Sequence, residues 1–155
     1  MNKVPSNINY NAFLNDYLRE VHCVCPKCGG KGVIYAESKY SMPWFPFNIR
    51  FICGNCSHRI TIKHKLNFRR FTKYNPAWGF EPYFGYALRN QIKIKGHTLC
   101  LLSPEHAQHI AHYVAAKDRP SPQNTKWAMV NRLPKWVKLA KNRRIVLNKL
   151  SKLEW

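Results

Sequence analysis

The chain has 155 residues, 26 Lys and Arg against 7 Asp and Glu, and a net charge of +19. Hydrophobic residues make up 45% and aromatics 14%, enough for a core, which excludes a disordered basic tail as a description of the whole chain. So few acids leave little for carboxylate-based catalysis and argue against most hydrolases; the composition suggests a folded protein with a polyanionic partner.

The charge is unevenly spread. Residues 23–75 and residues 119–155 each carry a net +9, and the stretch between them is nearly neutral. The neutral middle is expected to be the packing centre and the two basic blocks the contact surfaces. No uninterrupted apolar run exceeds four residues, as in Leu99–Leu102, whereas a transmembrane helix needs about 20. The start, Met1 to Asn7, lacks the apolar centre of a secretory signal. A cytoplasmic protein with no membrane partner is expected.

In chain order, Asn9–Glu20 predicts a short helix, with Phe13, Leu14, Tyr17, Leu18 and Val21 forming an apolar stripe. Residues 32–36 and 47–52 predict strands, rich in β-branched and aromatic residues, joined by a loop containing Pro43 and Pro46. Arg59 to Lys63 alternates polar and apolar and predicts a third strand. Residues 67–86 predict irregular structure with one short helix. Ile92, Ile94, Leu99 and Leu101 around Gly96-His97 predict a hairpin. Ser103-Pro104-Glu105 opens a helix to about Lys117, with Ser as cap, Pro in the first turn and Glu at the positive end of the dipole. Pro120 and Pro122 mark a linker. Pro134 starts a helix to about Ala140, and a second runs from Asn142 to Leu153. Arg143 would fall in the apolar stripe of a continuous helix, so a break is expected at Lys141-Asn142. The chain divides into segments 1–22, 23–66, 67–118 and 119–155, and the fold class is α+β.

The chemistry is concentrated in the cysteines. Cys25-Pro26-Lys27-Cys28 and Cys53-Gly54-Asn55-Cys56 are two C-x-x-C pairs separated by 24 residues, 29–52. Two thiolates with two residues between them can bite one ion, and small residues in or after each pair permit the tight turn. Four thiolates suit tetrahedral zinc, with Zn–S bonds of about 2.3 Å; a closed four-sulfur site has no open position and is structural. The C-x-x-C pairs also point to a reducing compartment.

Residues 23–66 resemble the zinc ribbons of general transcription factors of the factor IIB type, of RNA polymerase subunits and of many replication and restriction proteins. The resemblance rests on Cys25, Cys28, Cys53 and Cys56. It implies a three-stranded zinc-bound sheet and a bias toward nucleic-acid machinery.

Other candidates are weaker. In Cys23-x-Cys25-x-x-Cys28 the last two cysteines are the expected ligands, with Cys23 left outside. Cys100 lies in an apolar run and reads as a core thiol. His22 and His58 flank the pairs and read as surface or ligand-supporting groups. His106, His109 and His112 recur every three residues on one helix, which permits a second metal site. No H-E-x-x-H motif accompanies them. They are expected to form a polar helix face packed on the basic ribbon; a metal-dependent nuclease built on them is the weakest functional alternative.

Lys63, Lys65, Arg69, Arg70 and Lys73 follow the third strand and interleave with Phe68, Phe71, Tyr74 and Trp78. The aromatics read as core and the charges as phosphate contacts. With Arg59 and the C-terminal Lys135, Lys138, Lys141, Arg143, Arg144 and Lys149, these cations form the expected nucleic-acid surface, for DNA or RNA. The expected function is a non-catalytic nucleic-acid-binding protein holding one structural zinc. The alternative is a small basic subunit or inhibitor that docks on an acidic protein partner or a nucleoprotein complex.

Overall fold

In a computed structural model, which describes residues 10–40, 44–63, 74–119 and 126–155, the chain passes from a 3-10 turn at Leu14–Arg19 directly into strand β1, Glu20–Val24. The short helix expected over Asn9–Glu20 is therefore reduced to a 3-10 segment, Leu14–Arg19. Phe13 pairs with Ala128 in an antiparallel bridge, and the Met129 amide donates to the Ala12 carbonyl at 2.8 Å. Tertiary pairing thus holds the first residues extended. Asp16 accepts from the Phe13 amide at 2.8 Å and caps the start of the short 3-10 segment that remains.

β1 is the first strand of an antiparallel sheet completed by β2, Lys31–Glu37, β3, Phe47–Cys53, and β4, Arg59–Ile62. Where three strands were expected there are four, because Val21 and Cys23 point to the same buried face as Ile34, Ala36, Ile49 and Phe51. At Gly32 a Cβ would fall 2.4 Å from Cε2 of Phe51, so the buried ring covers the glycine. Lys63 follows the end of β4.

The free edge of β1 is covered in turn. The His22 amide donates to Leu102, that of Val24 to Ala87, and that of Arg89 to His22. The segment supplying Ala87 and Arg89 is anchored by Glu81, 2% exposed, whose carboxylate accepts from the amides of Tyr83, Phe84 and Tyr86 at 2.6–3.1 Å. A buried carboxylate that takes several N–H groups replaces water with fixed dipoles. The short helix expected in this region is the 3-10 turn Pro76–Trp78, with Gly79 left-handed at its end.

β5, Asn90–Ile94, and β6, His97–Leu101, form the expected hairpin. Its turn lies at Lys95-Gly96, one residue earlier than predicted, with φ of +48° and +81°. Two positive φ values in a two-residue loop give the mirror-type turn that matches strand twist. Helix α1, Pro104–Ala115, follows; the Ser103 hydroxyl accepts from the His106 amide at 3.1 Å. The C-terminal stretch contains α2, Lys135–Lys138, a 3-10 turn at Ala140–Asn142, and α3, Arg143–Ser151. The helix is indeed interrupted just before Arg143, which lets Val146 and Leu150 reach the core. One cluster of buried side chains draws on the whole chain, from Leu18 through Ile34, Phe51, Leu101 and Ile110 to Val137 and Val146. Tyr74 is in it, but Trp78, read as core from sequence, is 61% exposed. Phe68 and Phe71 lie outside the described residues, as do Pro120 and Pro122.

Candidate metal centre

β1 and β3 each run directly into one cysteine pair. At the first, the Gly29 amide donates to the Cys25 carbonyl and the Cys25 amide to Gly30, both at 2.9 Å, around a left-handed Gly29 with φ +71°. A glycine adopts that conformation without the strain a Cβ would bring. At the second, the Cys53 amide donates to the His58 carbonyl at 3.1 Å. The pairing of Gly32 with Cys53 sets the two turns side by side, and the Gly54 amide donates to Lys31 at 2.8 Å. Sheet register, therefore, brings together pairs that are far apart in sequence.

The sulfurs of Cys25, Cys28, Cys53 and Cys56 all lie within 4.8 Å of one another. Cys25 and Cys56 are 3.8 Å apart, Cys28 and Cys53 3.5 Å. A tetrahedral ion with metal–sulfur bonds of about 2.3 Å requires sulfur–sulfur edges of about 3.8 Å. The spacing fits, so the cluster could hold a metal ion. Among the described residues it is the only such group of ligands.

The backbone favours charge on these sulfurs. The amides of Asn55 and Cys56 donate to Sγ of Cys53 at 3.3 Å, and that of Gly30 to Cys28 at 3.4 Å. Desolvation opposes ionisation of Cys53, but these amides and the neighbouring thiols draw it down to about 6. The Gly30 amide favours the Cys28 thiolate, yet its bond to Cys53 and desolvation push that thiol up to about 12. Without a cation, one thiolate suppresses the next; a bound divalent ion removes that conflict.

Cys23 lies outside the cluster. It is fully buried on β1, and burial, with Glu81 adding, pushes its thiol up to about 12. Cys100 is buried on β6 and its thiol is likewise raised by burial. His22 sits 2.7 Å from the Glu20 carboxylate and edge-on to Trp155; the His58 ring packs on Phe51.

The histidine helix makes a different contact from the one expected. His106 takes the Leu102 amide on Nδ1 at 3.1 Å, His109 meets the Tyr17 hydroxyl at 2.6 Å, and His112 meets that of Tyr10 at 2.7 Å. The partner of this face is the N-terminal segment, not the cysteine-bearing sheet. Each Nδ1 is engaged separately, and the three rings form no metal-binding group.

The candidate cations fall into two groups. Arg59 and Lys63 are exposed at the sheet; Lys135, Lys141 and Arg144 are exposed on the C-terminal helical stretch. Lys138, Arg143 and Lys149 are half-buried there, and Lys138 Nζ donates to Asn131. Lys65, Arg69, Arg70 and Lys73 lie outside the described residues. Sequence reasoning passed over Arg50 and Tyr35, exposed neighbours across β2 and β3, and Lys95. The strand alternation that places Arg50 and Tyr35 on the outer face was readable; the position of Lys95 was not.

No helix among the described residues is long and apolar enough to cross a membrane. No protein-family model, curated protein or solved structure matches the chain.

Proposed function

We propose that the chain is a non-catalytic nucleic-acid-binding protein. In this reading Cys25, Cys28, Cys53 and Cys56 hold one structural Zn2+ in a ribbon-type site, and the two basic stretches contact the phosphate backbone. Four thiolates suit zinc, and the ion would contribute folding energy to the two cysteine turns, with no position left open for substrate.

The observation that carries the reading is the excess of positive charge, 26 Lys and Arg against 7 Asp and Glu, much of it on exposed side chains among the described residues. His22 pairs with Glu20, and the Arg19, Lys31, Arg119 and Lys138 side chains donate to main-chain oxygens. Cations in such excess repel one another and favour a polyanion. The outer face of the sheet adds stacking surface. Tyr35, 40% exposed, lies between Arg50 on β3 and Glu20 on β1, Ile52 lies opposite Arg59, and Lys31 shares the face. Aromatic side chains in a basic field bind strands through bases and phosphates together.

The test is binding of labelled DNA and RNA of arbitrary sequence as a function of salt. Five to eight phosphate contacts would give a log–log slope of about −4.5 to −7 on duplex DNA. Weak binding with no salt dependence would sink the reading. Tight binding to an acidic protein in its place would support the docking-subunit alternative.

A further inference from the structure

The hairpin turn at Lys95-Gly96 faces the junction leading into α3. Between them lies an open groove of about 600 Å³, lined by Lys95, Lys141, Asn142, Arg144, Ile145 and Asn148. A smaller hollow of about 150 Å³ adjoins it and shares Lys95, Lys141 and Asn142. Its far wall is Trp136, whose ring stacks on His97 at 5.6 Å. No carboxylate lines either hollow.

Three features set this groove apart from a merely charged surface. First, its cations come from two places in the chain, so the fold brings like charges together across a concave surface. Convergent cations in a concave site focus the field on an anion. Second, Lys95 holds φ +48°, a position where Asn or Gly would be accommodated at less cost. The turn thus presents a long cationic side chain from a left-handed residue. Third, the opposite wall is cross-linked: Asn142, 5% exposed, donates from Nδ2 to the Trp136 carbonyl at 2.8 Å and ties α2 to the start of α3.

We infer that this groove is a phosphate site that takes the phosphodiester backbone of a nucleic-acid strand, with Lys95, Lys141 and Arg144 as the contacting cations. The inference rests on the nucleic-acid reading above and names the place where the backbone is held. Asn142 and Asn148 offer neutral polar walls, and Ile145, 38% exposed, an apolar surface for a sugar. Arg presents a fork that matches phosphate oxygens, and Lys a point charge; both suit repeated phosphates.

The experiment uses the full chain with Lys95→Asn and Lys141→Gln/Arg144→Gln. Asn is at ease at positive φ, so the first variant removes the charge while keeping the turn; thermal unfolding verifies this. Binding of a labelled single strand and of a duplex is followed from low to moderate salt. Lys95→Asn should reduce the steepness of the log–log slope by about 0.7 on the single strand or about 0.9 on the duplex, and the double variant by about twice that. Chemical shifts of the Lys95, Lys141 and Arg144 amides are followed in parallel as inorganic tripolyphosphate is added to the wild type. They should move at concentrations where sodium chloride of equal ionic strength leaves them still.

If oligonucleotides bind and the folded variants keep the wild-type slope, the groove inference fails while the nucleic-acid reading survives. If oligonucleotides do not bind but tripolyphosphate shifts these amides, the groove takes free polyphosphate, and both the nucleic-acid reading and the phosphodiester occupant are overturned. If polyglutamate of matching charge binds as tightly and loses the same slope in the variants, an acidic protein is the occupant and the inference is overturned.

Discussion

The hydroxyl of Tyr17 lies 2.6 Å from Nδ1 of His109, joining a residue of the N-terminal turn to one on α1 that is 92 positions away. Burial, with Glu105 and Asp16 adding, raises the Tyr17 pKa well above the ordinary phenol range, so the hydroxyl keeps its proton in this bond. Tyr10 and His112 repeat the arrangement one helical turn further along α1. The N-terminal segment is thus fastened to the helix by two tyrosine–histidine bonds, with the buried His106 ring tilted against Tyr17 at 4.9 Å.

Tyr17→Phe should therefore weaken the fold without opening a cavity. Loss of one hydrogen bond, with a half-buried ring nitrogen left to find water, costs about 1 to 2 kcal/mol. The denaturant midpoint should fall with an unchanged m-value; an unaltered midpoint would mean that the pair contributes nothing.

The same helix makes the fold sensitive to acid. Burial, with His109 adding, lowers the pKa of His106 to about 3, against about 6.5 in an unfolded chain. The unfolded state therefore binds the proton first. The stability due to neutral His106 is complete above pH about 6.5 and is lost as pH falls toward 3. From pH 7.5 to pH 5 the loss should reach roughly 2 kcal/mol. His106→Asn, which keeps an acceptor but no titrating group, should flatten the dependence of the midpoint on pH in that interval. A slope as steep as wild type would assign the acid sensitivity elsewhere.

Metal analysis of the purified protein should return one zinc per chain. A strong chelator, or Cys53→Ser, should release it and unfold the two cysteine turns, because binding energy at such a site is folding energy. Amide exchange at Gly29, Gly30, Asn55 and Cys56 should rise on metal removal. A chain without metal that keeps those amides protected would refute the site.

Gly32→Ala places a methyl 2.4 Å from the Phe51 ring. Neither the sheet backbone nor a fully buried ring can yield easily, so the variant should lose about 1 to 3 kcal/mol. Phe51→Leu in the same chain should recover part of the loss; if it does not, the clash is not the cause.

Local signals determined much of this protein by themselves. The cysteine spacing, the Ser103 cap with Pro104, the alternation along β2, β3 and β4, and the interruption before Arg143 depend on residues close in sequence, so they were readable there. What only the tertiary structure decided involves partners far along the chain. Glu20–Val24 became a strand and not the end of a helix because β2 on one side and residues 87–89 and 102 on the other supply its hydrogen bonds. The histidine face found Tyr10 and Tyr17 because α1 packs beside the N-terminal turn. Lys95 joined Lys141 and Arg144 because the β5–β6 turn lies against the entry to α3. A helical stripe records which side of an element is apolar; it carries no record of which distant segment will cover that side, and the groove and the N-terminal strand depend on that choice.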